Sequence, residues 1–270
     1  SGMSNSESNE TLTRMGPGAA MGRVFRQFWQ PALLSEELPV ADCPPVRVRL
    51  MGEDFVAFRD SSGKVGLLDA HCPHRLADLF FGRNEEGGLR CVYHGWKFSV
   101  AGEILDMPSE PQGSPMRCNP NLRAKAYPVR EAGGIIWAYL GPQESMPALP
   151  DMEFMSLPPQ NVHVSKCLMK CNYLQALEGS IDTAHLTFLH HSMAPMEKDV
   201  FAVGNLQEFG DADGAPRFFC EDTDFGMRIS ARRDGGNGNY YWRITQWLMP
   251  NYVLVPTAEG LVCRANLFIA

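Results

Sequence analysis

The chain has no uninterrupted apolar run approaching the roughly 18 residues that a membrane helix needs, so no membrane span is expected. It lacks an apolar segment near its start of the kind that forms a secretory leader. Cations are in the minority: 24 Lys and Arg stand against 31 Asp and Glu, a formal charge of −7. Nucleic acid is therefore not an expected partner, because phosphate binding needs a basic face. No internal repeat and no low-complexity array are present. Histidine is scarce, with seven in 270 residues, so histidines that recur at short spacing beside other ligating residues carry information.

What is there fits a globular protein. Hydrophobic residues make up 44% and charged residues 20%, both ordinary values. A length of 270 residues accommodates two domains and a core that needs no disulfides. The eight cysteines, at 43, 72, 91, 118, 167, 171, 220 and 263, read as cytoplasmic thiols or metal ligands and not as a disulfide framework.

Three textures divide the chain. Residues 1–14 begin with Ser1-Gly2 before the first Met and read as a tag scar and a frayed polar tail. Residues 15–150 open with an amphipathic helix around Met21–Trp29, stopped by Pro31. Short strands with Gly-rich turns follow, at Val46–Leu50, Phe55–Arg59, Val65–Asp69, Arg90–Tyr93, Trp96–Val100, Lys125–Glu131 and Ile135–Leu140. Pro142, Pro147, Pro150, Pro158 and Pro159 mark a connection. Residues 151–270 carry a strand signal at Val162–Leu168 and a helix around Lys170–Leu189. More strands follow at Arg217–Glu221, Met227–Arg232, Tyr240–Leu248, Tyr252–Val255 and Leu261–Ile269. The expected class is α+β: an all-β domain, then a helix against a curved antiparallel sheet. The chain stops within a strand signal, so a C-terminal part of the second domain is expected to be missing.

The strongest motif is Cys72-Pro-His74, sixteen residues, then Cys91-Val-Tyr-His94. Two loops, each giving one thiolate and one imidazole, can clamp a [2Fe–2S] cluster with both Cys on one iron and both His on the other. A Cys2His2 zinc site is the alternative, but zinc patterns group like ligands together, whereas each half here is mixed. A second pattern is Asp182-x2-His185-x4-His190. Asp182 and His185 share a helical face, and the helix must bend or end near Phe188 for His185 and His190 to meet one metal. Two His and a carboxylate form the facial triad of non-haem Fe(II) oxygenases. The plain alternative is a helix with histidines near its C-terminus, where they suit the dipole.

The runs Cys72-Pro-His-Arg75 and Cys91-Val-Tyr-His-Gly-Trp-Lys-Phe98 resemble the Rieske domain of bacterial ring-hydroxylating oxygenases. Asp106–Pro111, Ala126–Pro128 and Gly134–Pro142 resemble the phthalate 4,5-dioxygenase group of that family. The resemblance implies a Rieske domain at 15–150 and a partial helix-grip (START-like) catalytic domain at 151–270. It implies a mononuclear Fe(II) on His185 and His190, with a third carboxylate ligand expected beyond this chain. It gives Asp182 the catalytic role of bridging His185 to His94 of a neighbouring subunit. It also implies O2 and a small aromatic substrate, a separate NADH-dependent flavin and iron–sulfur reductase, a homotrimer or multiple of it, and a cytoplasmic location. Thr183, Arg228 and Arg243 are candidate substrate contacts, an Arg fork being suited to a carboxylate. An electron-transfer Rieske protein with a non-metal binding domain, or a monooxygenase acting as O-demethylase, are the alternatives.

Overall fold

The computed structural model describes residues 6–189, 213–256 and 264–268. The chain divides into two compact units, one running to Leu168 and the other from Met169 to Phe268. The proline-rich connection is bound to the first unit. Trp29 Nε1 donates to the Pro147 carbonyl at 2.9 Å, and Lys166 pairs with Glu37 at 2.5 Å. The strand expected over Val162–Leu168 does not form.

In place of a frayed tail, Ser6–Thr13 (α1) is an exposed helix. Hydroxyl groups of Thr11 and Thr13 bond back to carbonyls four residues earlier. The second helix, Ala20–Phe25 (α2), ends sooner than its apolar spacing predicts. The Gln30 amide donates to the Phe25 carbonyl at 3.0 Å and turns the chain into a strand, Gln30–Leu34 (β1). Pro31 is tolerated there because β1 is the edge of a three-stranded sheet, where a missing N–H need not break a ladder.

Ten further strands complete the first unit: Val46–Leu50 (β2), Glu53–Arg59 (β3), Val65–Asp69 (β4), Arg83–Glu85 (β5), Gly88–Arg90 (β6), Lys97–Phe98 (β7), Ile104–Asp106 (β8), Ala126–Tyr127 (β9), Val129–Ala132 (β10) and Ile135–Ala138 (β11). They form antiparallel sheets in the orders β1-β11-β10, β2-β3-β4-β9 and β5-β6-β7-β8. Residues of β3, β4, β6 and β7 supply a core of Val56, Phe58, Leu68, Leu89 and Phe98, joined by Trp96 and by the thiols of Cys72 and Cys91. A short helix, Glu153–Ser156 (α3), follows.

In the second unit, Tyr173–Ile181 (α4) is capped by Asn172, whose Oδ1 accepts from the Leu174 N–H at 3.0 Å. It buries Tyr173 and Leu177, an i,i+4 pair. The helix expected to reach Leu189 stops at Ile181 and resumes as Leu186–Leu189 (α5). Arg217–Thr223 (β12), Gly226–Gly236 (β13), Asn239–Leu248 (β14), Tyr252–Val255 (β15) and Arg264–Leu267 (β16) form one antiparallel sheet in chain order. The β13–β14 hairpin closes through Asn237 and Gly238, both at positive φ, the turn that Asn-Gly favours. The α4 helix packs on β14 and β15, and Ser180 accepts a 3.0 Å hydrogen bond from Asn266 of β16.

One glycine tests the packing around the thiols. Gly102 has φ +79, and a Cβ there would lie 2.1 Å from the carbonyl oxygen of Ala124. Ala124 is itself buried in the core that holds Cys72 and Cys91. Gly102→Ala is expected to destabilise the first unit by about 2–4 kcal/mol, read from denaturant unfolding; an unchanged midpoint would contradict this packing.

Candidate metal centres

Loop 70–78 leaves β4, and loop 91–96 joins β6 to β7. The two have the same backbone hydrogen bonds. In the first, the Cys72 N–H donates to the Ala77 carbonyl and the Leu76 N–H to the Cys72 carbonyl, both at 2.9 Å. In the second, the Cys91 N–H donates to the Trp96 carbonyl at 2.8 Å and the Gly95 N–H to the Cys91 carbonyl at 3.1 Å. The fourth residue after each cysteine has positive φ, +56 at Leu76 and +73 at Gly95. Two like knuckles therefore face each other.

Their side chains sort by chemistry. Cys72 and Cys91 are buried in the same cluster of core residues. His74 and His94 are half-buried, with ring centroids 4.6 Å apart. The His74 ring lies flat on Trp96, 4.4 Å between centroids and 2° between planes. Tyr93, largely exposed, packs on His94 at 3.9 Å. Burial pushes the Cys72 thiol up to about 11, while the N–H groups of His74 and Arg75 pointing at its sulfur work the other way. Iron binding must displace that proton, and the same N–H groups then favour the thiolate. Among the described residues no three His, Cys, Asp or Glu converge on a single ion. The donors pair two and two, thiol with thiol and imidazole with imidazole. That division fits a two-iron cluster and not a tetrahedral zinc site.

Ion pairs close the base of each knuckle. Arg47 bonds Asp78 at 2.7 Å, and Asp78 accepts from the Phe80 N–H at 2.9 Å. Arg90 reaches the Gly95 carbonyl at 2.7 Å, with Asp106 at 2.8 Å and Glu85 at 2.7 Å as its counter-charges. Trp96 is fixed from behind by a 3.1 Å bond to the Ser109 hydroxyl.

In the second unit, Asp182 sits at the break after α4. Its carboxylate accepts from the N–H of Ala184 at 2.8 Å and of His185 at 3.2 Å, and Oδ2 lies 3.1 Å from His185 Nδ1. Asp182 and His185 thus meet because the carboxylate caps the next turn, not because both lie on one helix. Burial works against its charge, but these hydrogen bonds hold the Asp182 carboxyl below the usual range. His190 lies outside the described residues.

The candidate substrate contacts separate. Period-2 alternation puts Ile229, Ala231 and Arg233 of β13 with Arg243 and Thr245 of β14 on one face; all five are buried. Arg228 is on the other face, half-exposed and 3.3 Å from Glu221, so the two candidate arginines lie on opposite faces of the sheet. Thr183 is 1% exposed, and its hydroxyl accepts from Arg233 at 3.0 Å. Sequence reasoning passed over Arg233 altogether. Its signal was its spacing, two and four residues from Ala231 and Ile229 on the apolar-facing phase of the strand.

Comparison with known proteins agrees with this geometry. Residues 28–128 match the family described as Rieske [2Fe-2S] domain, and residues 138–267 the one described as LigXa C-terminal domain like. The 3-chlorobenzoate-3,4-dioxygenase oxygenase subunit of Comamonas testosteroni is 41% identical over 257 residues, covering 95% of this chain and 58% of that protein. The phthalate 4,5-dioxygenase oxygenase subunit of Pseudomonas putida is 40% identical over 255 residues, covering 93% and 58%. The 5,5'-dehydrodivanillate O-demethylase oxygenase subunit of a Sphingobium species is 43% identical over 189 residues, covering 70% and 44%. A crystal structure of dicamba monooxygenase bound to dicamba shares the fold, with TM-score 0.65, 22% identity, and coverage of 88% of this chain and 69% of that one. The first unit is therefore a Rieske iron–sulfur domain. The chain belongs to the Rieske non-haem iron oxygenase family, in the group of phthalate 4,5-dioxygenase-like oxygenase subunits. It spans about three fifths of the length of the first two relatives.

Gly95 connects this site to its core. A Cβ at Gly95 would lie 2.7 Å from the Pro108 ring. Gly95→Ala is expected to lower the iron–sulfur content per chain while far-UV circular dichroism stays unchanged. Full cluster absorbance in the variant would show that the knuckle does not need this close approach.

Proposed function

We propose that this chain is the cluster-bearing and iron-binding part of a terminal oxygenase that hydroxylates an aromatic carboxylate with O2. One observation carries the reading: the hydrogen bond between Asp182 and His185 Nδ1, at 3.1 Å, in a chain that also holds a Rieske domain. With Nδ1–H held by the carboxylate, the imidazole presents Nε2 as a metal ligand. When bound, a [2Fe–2S] cluster and a mononuclear Fe(II) supply one-electron transfer and O2 activation.

The residues then divide the work. Cys72, His74, Cys91 and His94 hold the cluster. His185 and His190 hold Fe(II), completed by a carboxylate from outside this chain. Asp182 has a side chain 42% exposed and keeps acceptor capacity for a second imidazole, which we assign to His94 of a neighbouring copy in a trimer or multiple of it. A separate NADH-dependent flavin and iron–sulfur reductase supplies the electrons, as in multicomponent systems. The described cysteines are all free, in keeping with a cytoplasmic location. No described helix is long and apolar enough to cross a membrane.

Arg243 supports the substrate class. It is 6% exposed, burial works against its charge, and the neighbour that supports the charge is Tyr241, a phenol. Among the described residues no carboxylate forms an ion pair with it. A buried guanidinium so placed calls for an anion, and its fork matches a carboxylate. Two relatives are named for 3-chlorobenzoate and phthalate, both aromatic carboxylates.

The deciding measurement is iron per chain in the full-length protein. About three irons are expected, two in the cluster and one beyond it. His185→Ala should lose the third iron and turnover while its cluster still reduces; two irons in the wild type would instead indicate an electron carrier. Arg243→Gln should raise KM for an aromatic carboxylate by about 10–100-fold, the worth of a charged hydrogen bond. An unchanged KM would remove Arg243 from the pocket.

A further inference from the structure

Arg233 is the most deeply buried cation among the described residues of the second unit, with 0% exposure. It comes from β13, and its hydrogen bonds to described residues go to neutral oxygens. Nη2 donates to the Thr183 carbonyl at 2.6 Å, Nη1 to the Thr183 hydroxyl at 3.0 Å, and Nε to the Asp213 carbonyl at 3.1 Å. Both oxygens of one residue are gripped by one planar fork. That fixes the Thr183 peptide and its side chain together, which a single-point donor such as Lys does not do.

The gripped residue matters because of its neighbours. Thr183 lies between Asp182, the carboxylate that orients His185, and the N–H groups of Ala184 and His185, which that carboxylate accepts. The segment has no regular helical ladder of its own, since α4 ends at Ile181 and α5 begins at Leu186. Its conformation is set by the Asp182 cap on one side and by Arg233 on the other. The guanidinium charge also acts on Asp182 through space. The strand end bearing Arg233 is fixed in turn, because the Asp234 N–H donates to the Asp213 carboxylate at 2.8 Å.

We propose that Arg233 is the positioning residue of the iron-ligand segment: by holding both oxygens of Thr183 it sets where Asp182 and His185 stand, and so controls metal affinity without touching metal. This deepens the functional reading above and rests on it. A residue that merely packed the sheet would change stability alone. A positioning residue changes metal affinity in a folded protein.

The test uses the full-length protein with its cluster intact. Fe(II) affinity of the mononuclear site is measured anaerobically by competition with a coloured chelator, alongside the visible spectrum of the cluster and the unfolding midpoint. Thr183→Val keeps shape and removes the hydroxyl, and Thr183→Ser restores it. Arg233→Met removes the fork, and Arg233→Lys keeps the charge without it. Orienting partners of metal ligands are worth about 10–100-fold in affinity. Thr183→Val, Arg233→Met and Arg233→Lys should each weaken Fe(II) binding by at least about tenfold, with the cluster spectrum unchanged and Thr183→Ser near wild type. If Arg233→Met does not fold, the Thr183 pair decides. Wild-type Fe(II) affinity in the folded Thr183→Val and Arg233 variants, with only the midpoint lowered, overturns the proposal. A wild-type protein that binds no iron beyond the cluster overturns the functional reading itself, a different result from the same assay.

Discussion

The first unit is organised by one constraint: two thiols must point inward and two imidazoles outward from loops that approach each other closely. A thiol reaches iron only as thiolate, so its burial must be offset by donors aimed at sulfur. The N–H groups of His74 and Arg75 do this for Cys72. The matching backbone hydrogen bonds of the two knuckles repeat one solution on both sides. The small sheets exist, structurally, to hold those knuckles in register. β6 and β7 are the stems of the second loop, and β4 launches the first.

The imidazole side of the same site is asymmetric. His74 is stacked on buried Trp96, while His94 packs on His74 and on exposed Tyr93. The loop that carries His94 is tied down by Arg90, through the Gly95 carbonyl. In the second unit the logic is repeated with different groups. Asp182 lies 3.1 Å from His185 Nδ1, and Arg233 donates to the carbonyl of Thr183 between them. In each unit a buried or largely buried arginine holds a backbone carbonyl one or two residues from a histidine, a neutral acceptor that the guanidinium can fix in place.

Much of the fold was legible as alternating apolar runs between turns. Val46–Leu50, Val65–Asp69 and Tyr252–Val255 form strands at the expected bounds. The misses have local causes. Pro31 reads as a helix stop but lies in an edge strand. The run Val162–Leu168 has the composition of a strand and no partner strand, so no ladder forms. The helix through Asp182 breaks because a carboxylate can cap the following turn more favourably than it can sit mid-helix.

The sequence by itself determined the two mixed Cys and His half-motifs, Cys72 with His74 and Cys91 with His94, and the pairing of Asp182 with His185, because the members of each lie within a few residues, where short-range spacing dictates what can meet. Only the tertiary structure decided which arginine faces which way. Arg228, Arg233 and Arg243 sit on neighbouring strands of similar composition. Their fates differ through the register of β13 with β12 and β14 and through the segment that covers one face of the sheet. A shift of one residue would exchange buried for exposed along the whole strand; the spacing of Arg233 from Ala231 and Ile229 puts the three on one face, but only the register and the covering segment make that face the buried one.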